Sequence, residues 1–283
     1  MAASYQPMLP MKPTPKRLIL NLLAAAAGEP LSARNAVDAC ALFGVKENSV
    51  RVTLARLSSE GLIEAKGRGL YGLTPHAASL AADINDWRRA KQRLCDWQGG
   101  WVAVYCGALG RSDRAVLRQR ERALEMNGLR ELEKGIYVRP DNLAGGVPAL
   151  RERLYALGLE PEAMVCRLDE LDDRRAQQAR QLWPVARLEK QYRAMTERLE
   201  QWLARSDDLE PEVAARESFL IGDAAIRQLV FDPLLPEALI DHAARRVFIE
   251  SLLRFDAAGH RIWAVLYQTT VQVSADAGGA LRH

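Results

Sequence analysis

Two arginines, Arg51 and Arg56, flank a short run of small and polar residues. A guanidinium group can donate two parallel hydrogen bonds to the O6 and N7 atoms of a guanine edge, or it can bind a phosphate oxygen. Small neighbours allow a helix that carries such arginines to lie deep in the major groove of a duplex. The residues predicted to face DNA on this run are Asn48, Ser49, Arg51, Val52 and Arg56.

A second basic group follows in the glycine-rich turn at residues 66–69. Short strands predicted over residues 62–65 and 70–74 flank the turn, which indicates a β-hairpin with Lys66 and Arg68 at its tip. A basic tip suits contact with phosphates or with the minor groove. The helix alone is also compatible with an ordinary solvated surface, but helix and hairpin together favour a DNA-binding surface.

Apolar spacing predicts how these cations are positioned. Val50, Leu54 and Leu57 recur at i, i+4 and i+7, which is one buried stripe of a helix that begins near Glu47. The predicted DNA-facing residues lie on the other faces of the same helix. Gly61 is expected to end the helix as a C-terminal capping glycine.

The preceding residues predict two more helices. One covers residues 16–27, and the other begins after the N-cap Ser32 and ends near Leu42. Gly44 can adopt the positive φ angle that a tight turn between helices requires. This order predicts a winged helix-turn-helix domain over residues 14–80, with a disordered lead-in over residues 1–13.

The distribution of charge agrees with this prediction. The 283 residues carry a net charge of +3. Residues 1–75 hold nine Lys and Arg against five Asp and Glu, whereas residues 179–283 hold thirteen against fifteen. The positive excess therefore lies on the segment that is expected to face phosphates.

The middle of the chain, residues 81–175, predicts a linker helix and then the order β-α-β-β-α-β, which is typical of a ferredoxin-like domain. Small metal-dependent nucleases share this fold and place an aspartate at the end of the first strand. Here that strand ends in Tyr105-Cys106-Gly107, and the nearest carboxylate, Asp113, already belongs to the next helix. A nucleic-acid hydrolase is therefore the alternative function, and a dimerisation or spacer domain is favoured.

Residues 176–283 predict a mainly helical C-terminal domain, with one helix over residues 239–256 and a new segment from Gly259. The fold class is thus α+β and multi-domain. The histidines are isolated: His76, His242, His260 and His283. The cysteines form no C-x-x-C pair: Cys40, Cys95, Cys106 and Cys166.

These patterns predict no catalytic residue, no metal site and no cofactor, and a phosphate-binding loop is absent. No apolar run reaches the length of a membrane span, and the N-terminal residues lack a secretory pattern. A cytoplasmic protein with no membrane partner is expected.

A series of motifs resembles the phenylacetic-acid catabolism repressor (PaaX) family over most of the chain. The first motif is common among winged-helix proteins, and the ordered series is much more specific. The motifs are N-S-V-R-V-T-L-A-R-L-S-S-E-G-L-I (48–63), G-R-G-L-Y-G-L-T (67–74), W-Q-G-G-W (97–101), D-P-L-L-P (232–236) and D-A-A-G-H-R-I-W (256–263).

The resemblance implies a homodimeric repressor that binds inverted-repeat operators of aromatic-degradation operons. It also implies release from double-stranded DNA by an aryl-coenzyme A thioester such as phenylacetyl-CoA. Two departures concern this effector: many members carry Trp-Arg where this chain has Asp223-Ala224-Ala225, and a D-W-P-G-like stretch where it has Asp241-His242-Ala243-Ala244. A DNA-bound scaffold without a small-molecule effector is a further alternative.

Overall fold

The computed structural model describes residues 13–26, 28–78 and 92–279, with side chains described as far as residue 266. The fold is mixed α+β, with two small antiparallel sheets and a helical C-terminal part. Of the lead-in predicted over residues 1–13 only residue 13 is described, and of the linker helix predicted over residues 81–95 only residues 92–95 are described. No helix within the described ranges has the length and apolarity needed to cross a bilayer.

The chain forms two compact units. The first combines residues 1–86, 199–224 and 253–283, and the second combines residues 87–198 and 225–252. Each unit therefore contains residues from distant parts of the sequence.

The first unit begins with three helices and a small sheet. The sheet has the strand order β1-β3-β2, and all of its pairs are antiparallel. Ser32 caps α2 as predicted, because its hydroxyl accepts the backbone N–H of Asn35 at 3.0 Å. The elements are α1 (Pro15–Ala25), β1 (Leu31–Ser32), α2 (Ala33–Ala41), α3 (Glu47–Ser59), β2 (Ile63–Gly67) and β3 (Leu70–Leu73).

Two glycines set the ends of α2 and α3. Gly44 has a φ angle of +71° in the turn between the helices, and Gly61 has a φ angle of +66° after α3. The N–H of Gly61 donates to Ser58 O at 3.1 Å, and that of Leu62 donates to Leu57 O at 3.0 Å. These two bonds form a Schellman-type cap, so the chain leaves α3 directly into the hairpin.

The second unit is built on a four-stranded antiparallel sheet with the order β5-β6-β4-β7. Two helices pack their apolar residues on it, and Val104, Leu124 and Leu154 lie at the centre of this core. The elements are β4 (Trp101–Tyr105), α4 (Arg114–Met126), β5 (Arg130–Glu133), β6 (Ile136–Pro140), α5 (Gly146–Ala156) and β7 (Met164–Leu168).

The C-terminal part is helical as predicted, but its last helix is longer than expected. The break predicted at Gly259 is wrong, since α9 runs without interruption through it. A Cβ atom at Gly259 would lie 3.4 Å from Ser218 Cβ, so this glycine allows two helices to approach closely. The helices are α6 (Asp173–Arg180), α7 (Val185–Leu203), α8 (Pro211–Val230) and α9 (His242–Gly279), and a short 3-10 helix covers Ser206–Asp208.

The loop between α8 and α9 is buried from residue 232 to residue 236. The carboxylate of Asp232 accepts the hydroxyl of Tyr192 at 2.6 Å and the backbone N–H of Leu234 at 2.7 Å. Arg245 places its Nη1 atom 3.7 Å from the same carboxylate, and its side chain is 4% exposed. The D-P-L-L-P motif is thus fixed in the interior of the second unit by a buried polar cluster.

Candidate nucleic-acid interface

Helix α3 has one buried face and one exposed face. Val50, Leu54 and Leu57 are buried in the core of the first unit, as their spacing predicts. Val52, on the opposite face, is 60% exposed. Asn48 and Ser49 are exposed beside it. The outward face is therefore small, uncharged and accessible.

Arg51 and Arg56 are both exposed, and a glutamate holds each of them. Glu47 Oε1 accepts Nε of Arg51 at 2.8 Å and Nη2 at 2.6 Å. Glu60 Oε1 accepts Nε of Arg56 at 2.9 Å. Both pairs have four-residue spacing along the helix, so they fix the arginine side chains along the helix surface.

Glu60 also binds the first helix of the unit. Its Oε2 atom accepts Nζ of Lys16 at 2.6 Å. The ammonium of Lys16, and then the guanidinium of Arg56, hold the pKa of Glu60 below its ordinary value. The sequence did not predict this contact, because Lys16 and Glu60 are 44 residues apart and only the tertiary fold brings them together.

The hairpin has a two-residue loop formed by Arg68 and Gly69, because Gly67 pairs with Leu70. The expected turn was wider: Lys66 belongs to β2, where the register shifts between Ala65 and Gly67. Lys66 Nζ donates to Glu64 Oε1 at 2.6 Å. Arg68 is exposed at the tip, and no carboxylate among the described residues forms an ion pair with it.

Two hydrogen bonds, one from the backbone and one from a side chain, attach the hairpin segment to the start of α2 and to the residue after the cap of α3. The N–H of Ala33 at the start of α2 donates to Gly69 O at 2.9 Å. The hydroxyl of Thr74 donates to Gly61 O at 2.8 Å, immediately after α3. The structure therefore carries all seven predicted residues, exposed, on elements that are bonded directly to one another.

Three of the four cations of this surface, Arg51, Arg56 and Lys66, form ion pairs with glutamates that are at least partly exposed. Exposed ion pairs contribute little to stability, because water and salt screen them. A phosphate oxygen can therefore replace Glu47, Glu60 or Glu64 as the partner of its cation at small cost.

Within the first unit, helices from the C-terminal part pack against the N-terminal residues that carry the candidate interface. Asp223 of α8 forms an ion pair with Arg17 and accepts Nδ2 of Asn21 at 3.3 Å. The rings of Phe43 and Phe219 meet edge to face at 5.2 Å between centroids. Sequence patterns did not reveal Asp223 as a partner of α1, since the two lie about two hundred residues apart.

Asp113, the carboxylate nearest in sequence to the end of β4, and His242 both make contacts within the fold. Asp113 caps α4 by accepting the backbone N–H of Ala115 at 2.7 Å and that of Val116 at 3.2 Å. His242 contacts Leu235 O at 2.8 Å. Within the described ranges, no three His, Cys, Asp or Glu side chains lie together in a group that could hold a metal ion.

Comparison with known proteins gives one family match. Residues 183–265 match the PaaX-like protein C-terminal domain, a region that includes α7, α8 and much of α9. Curated protein sequences show no match to the chain. The structure is similar to the uncharacterized protein Rv0674 from Mycobacterium tuberculosis, with a TM-score of 0.57 and 20% identity over 88% of this chain and 99% of that one. This second likeness concerns the fold alone.

Proposed function

Because the chain belongs to the PaaX family, we propose that it is a DNA-binding transcriptional repressor of genes for aromatic-compound catabolism. We propose a winged helix-turn-helix domain over residues 14–80, a ferredoxin-like domain with its linker over residues 81–175 and a helical domain over residues 176–283. The observation that carries the proposal is the exposed outer face of α3, whose inner face is fully buried.

In this proposal α3 enters the major groove. Val52 and its small neighbours allow close approach, while Arg51 and Arg56 reach a guanine edge or phosphates from the two sides. Lys66 and Arg68 contact phosphates or the minor groove from the hairpin. The bonds from the hairpin to α2 and α3 support this role, because they hold the two basic elements in a fixed relation.

We further propose that the protein acts as a homodimer on an inverted repeat. A two-fold symmetric reader requires two half-sites about one helical turn apart. An aryl-CoA thioester, phenylacetyl-CoA or a close analogue, is the proposed effector. Both proposals rest on family membership and on the PaaX-like domain at residues 183–265.

The DNA contacts can be tested with a duplex selected by the protein from a random-sequence library. Arg51→Ala should weaken binding to the selected duplex by about 1–3 kcal/mol and relax the preference at one base position. Arg68→Ala should weaken binding to selected and mixed-sequence duplexes alike, and should reduce the salt dependence by about one phosphate contact. Fluorescence anisotropy at several salt concentrations measures both effects.

The matched control is Arg198→Ala, which removes the same charge from an exposed position of α7. It should bind like the wild type. In Arg51→Ala, Glu47 loses its partner, and its charge then repels the phosphates. The double variant Glu47→Gln/Arg51→Ala removes that charge, so it tests whether the loss of DNA affinity comes only from this repulsion. The proposal is wrong if Arg51→Ala, Arg56→Ala and Arg68→Ala all bind both duplexes like the wild-type protein.

The effector is tested by thermal unfolding. A ligand that binds only the folded protein stabilises it by about 2.7 kcal/mol at a hundred times its dissociation constant. Phenylacetyl-CoA should therefore raise the melting temperature and release the selected duplex, whereas coenzyme A alone should do neither. A protein that binds DNA but responds to no aryl-CoA thioester would instead be a scaffold without a small-molecule effector.

A further inference from the structure

Helix α4 of the second unit carries an exposed row of arginines. Arg114, Arg118 and Arg122 recur every four residues, and Arg111 lies just before the helix. All four side chains are exposed. Residues four apart are neighbours on a helix surface, so these guanidinium groups lie along one face.

The row is not neutralised locally. Within the described residues, no carboxylate forms an ion pair or a hydrogen bond with Arg111, Arg114 or Arg118. Of the acids beside the row, Asp113 caps the helix and Glu125 lies 3.8 Å from Arg130. Glu121 is the remaining carboxylate on the helix, so the positive charges outnumber the acids that could offset them.

Two other arginines of this helix, Arg120 and Arg122, have contacts within the fold. Arg120 points inward, is 5% exposed, and is bound by Glu160. Arg122, at the end of the row, lies with its guanidinium carbon 5.9 Å from the centroid of the Phe231 ring. Arg111, Arg114 and Arg118 have no comparable contact among the described residues.

This arrangement disfavours the isolated helix. Like charges at four-residue spacing repel, and Arg114 is the first residue of α4, where the helix dipole already disfavours a cation. Elsewhere the chain pairs helical arginines with acids four residues away, as in Glu47–Arg51, Arg34–Asp38 and Glu189–Arg193. A row that breaks this rule is expected where a partner supplies the negative charge.

We propose that Arg111, Arg114 and Arg118 bind the phosphate backbone of duplex DNA, so that the second unit adds a sequence-independent contact. This inference rests on the proposed function. At about 1.5 Å per residue, Arg114 and Arg118 are about 6 Å apart along the helix axis, and Arg111 precedes them. A DNA strand carries one phosphate per about 3.4 Å of its axis, so its backbone can meet three such cations in succession, whereas one small anion would engage only part of the row.

The experiment measures how the affinity for a mixed-sequence duplex of about 40 base pairs depends on salt concentration. The variant Arg111→Gln/Arg114→Gln/Arg118→Gln should lower the slope of log K against log [salt] by roughly 0.9 for each phosphate that it no longer binds, hence by about 2–3. Arg122 is kept because of its contact with Phe231. The melting temperature should stay unchanged or rise, because the variant removes repulsion and glutamine is a good helix former.

The control is Arg174→Gln/Arg193→Gln/Arg198→Gln, which removes the same charge from exposed positions of α6 and α7 in the same unit. Equal slopes for the two triple variants would mean that only bulk charge matters and would overturn the inference. An unchanged slope in the α4 variant, together with a lower slope for Arg68→Ala, would overturn it while leaving the proposed function intact. Failure of the wild-type protein to bind any duplex would reject both.

Discussion

Replacing Arg245 with methionine should lower the free energy of unfolding by about 3–5 kcal/mol, since it leaves a buried carboxylate without its cation. The side chains of Arg245 and Asp232 are only 4% and 1% exposed, and their nearest atoms are 3.7 Å apart. Burial raises the pKa of Asp232, and the charge of Arg245 is the largest influence in the opposite direction. Without Arg245, the carboxylate must stay charged in a poor environment or take up a proton.

The carboxylate of Asp232 also has two hydrogen-bond donors, and these allow a second variant to test whether the loss of stability comes from its charge. Burial, and then the charge of Asp232, raise the pKa of Tyr192 above its ordinary value, so its hydroxyl stays protonated and donates to the carboxylate. Asp232→Asn keeps an acceptor for the backbone N–H of Leu234 and removes the charge. The double variant Arg245→Met/Asp232→Asn should therefore be more stable than Arg245→Met alone. With Asp232→Asn also measured, the two substitutions should show a coupling energy of about 1–3 kcal/mol.

Equilibrium urea unfolding, followed by tryptophan fluorescence, measures these differences. The control is Arg246→Met, which changes the adjacent but exposed arginine of α9 and should shift stability by no more than about 0.5 kcal/mol. If Arg245→Met and Arg246→Met unfold at the same urea concentration, the buried pair contributes nothing and the explanation given for the D-P-L-L-P loop is wrong.

Features determined by neighbouring residues were predicted well. The positive φ angles at Gly44 and Gly61, the cap at Ser32 and the buried stripe of α3 follow from the chemistry of a few consecutive residues. A glycine in a short turn and a serine before an apolar run act locally, so no knowledge of the tertiary fold is required. The hairpin strands β2 and β3 were predicted from their short apolar runs, whereas β1 (Leu31–Ser32) was not predicted as a strand.

Features that depend on distant residues were not predicted. The sequence predicts a break at Gly259, although the lack of a side chain there serves contact with Ser218, 41 positions earlier in the chain. A pattern of residue types cannot distinguish a glycine that ends a helix from one that allows close packing. The burial of Arg139 is a similar case: a charged residue at a strand end, 2% exposed, donates to Asn127 O and Asn142 Oδ1.

The candidate interface likewise combines features that neighbouring residues determine with contacts that only the tertiary fold creates. The seven exposed residues follow from helix periodicity and hairpin chemistry, whereas the sequence indicates no role for the glutamates that hold three of them. The sequence likewise does not indicate two contacts of α1: Lys16 binds Glu60 at the end of α3, and its neighbour Arg17 binds Asp223 of α8. Two adjacent residues of α1 therefore connect α3 with α8. A change at the contact between α1 and α8 is therefore expected to affect the proposed DNA-binding residues of α3.

Reversing the charge of Asp223 should weaken binding to the selected duplex by about tenfold, although it makes the protein more positive. Asp223→Arg places a second cation beside Arg17, and both native side chains are only 24% exposed. We expect the free energy of unfolding to fall by about 2–3 kcal/mol, as for the loss of a hydrogen bond between charged groups. Displacement of α1 would also move Lys16, which binds Glu60. Because Glu60 also binds Arg56, the position of Arg56 on α3 would be disturbed.

Asp208→Arg is the matched control, since it makes the same charge change at an exposed position of the same unit. Added positive charge alone should leave DNA affinity unchanged or raise it, so the two variants should differ in sign. The exchange Arg17→Asp/Asp223→Arg restores both an ion pair and the wild-type net charge, and should recover most of the affinity and stability. If Asp223→Arg binds DNA as Asp208→Arg does, or if the exchange recovers nothing, the ion pair does not position the residues that are proposed to bind DNA. Recovery by the exchange would show that α8, which lies within the PaaX-like domain, acts on the proposed DNA-binding helices through this contact.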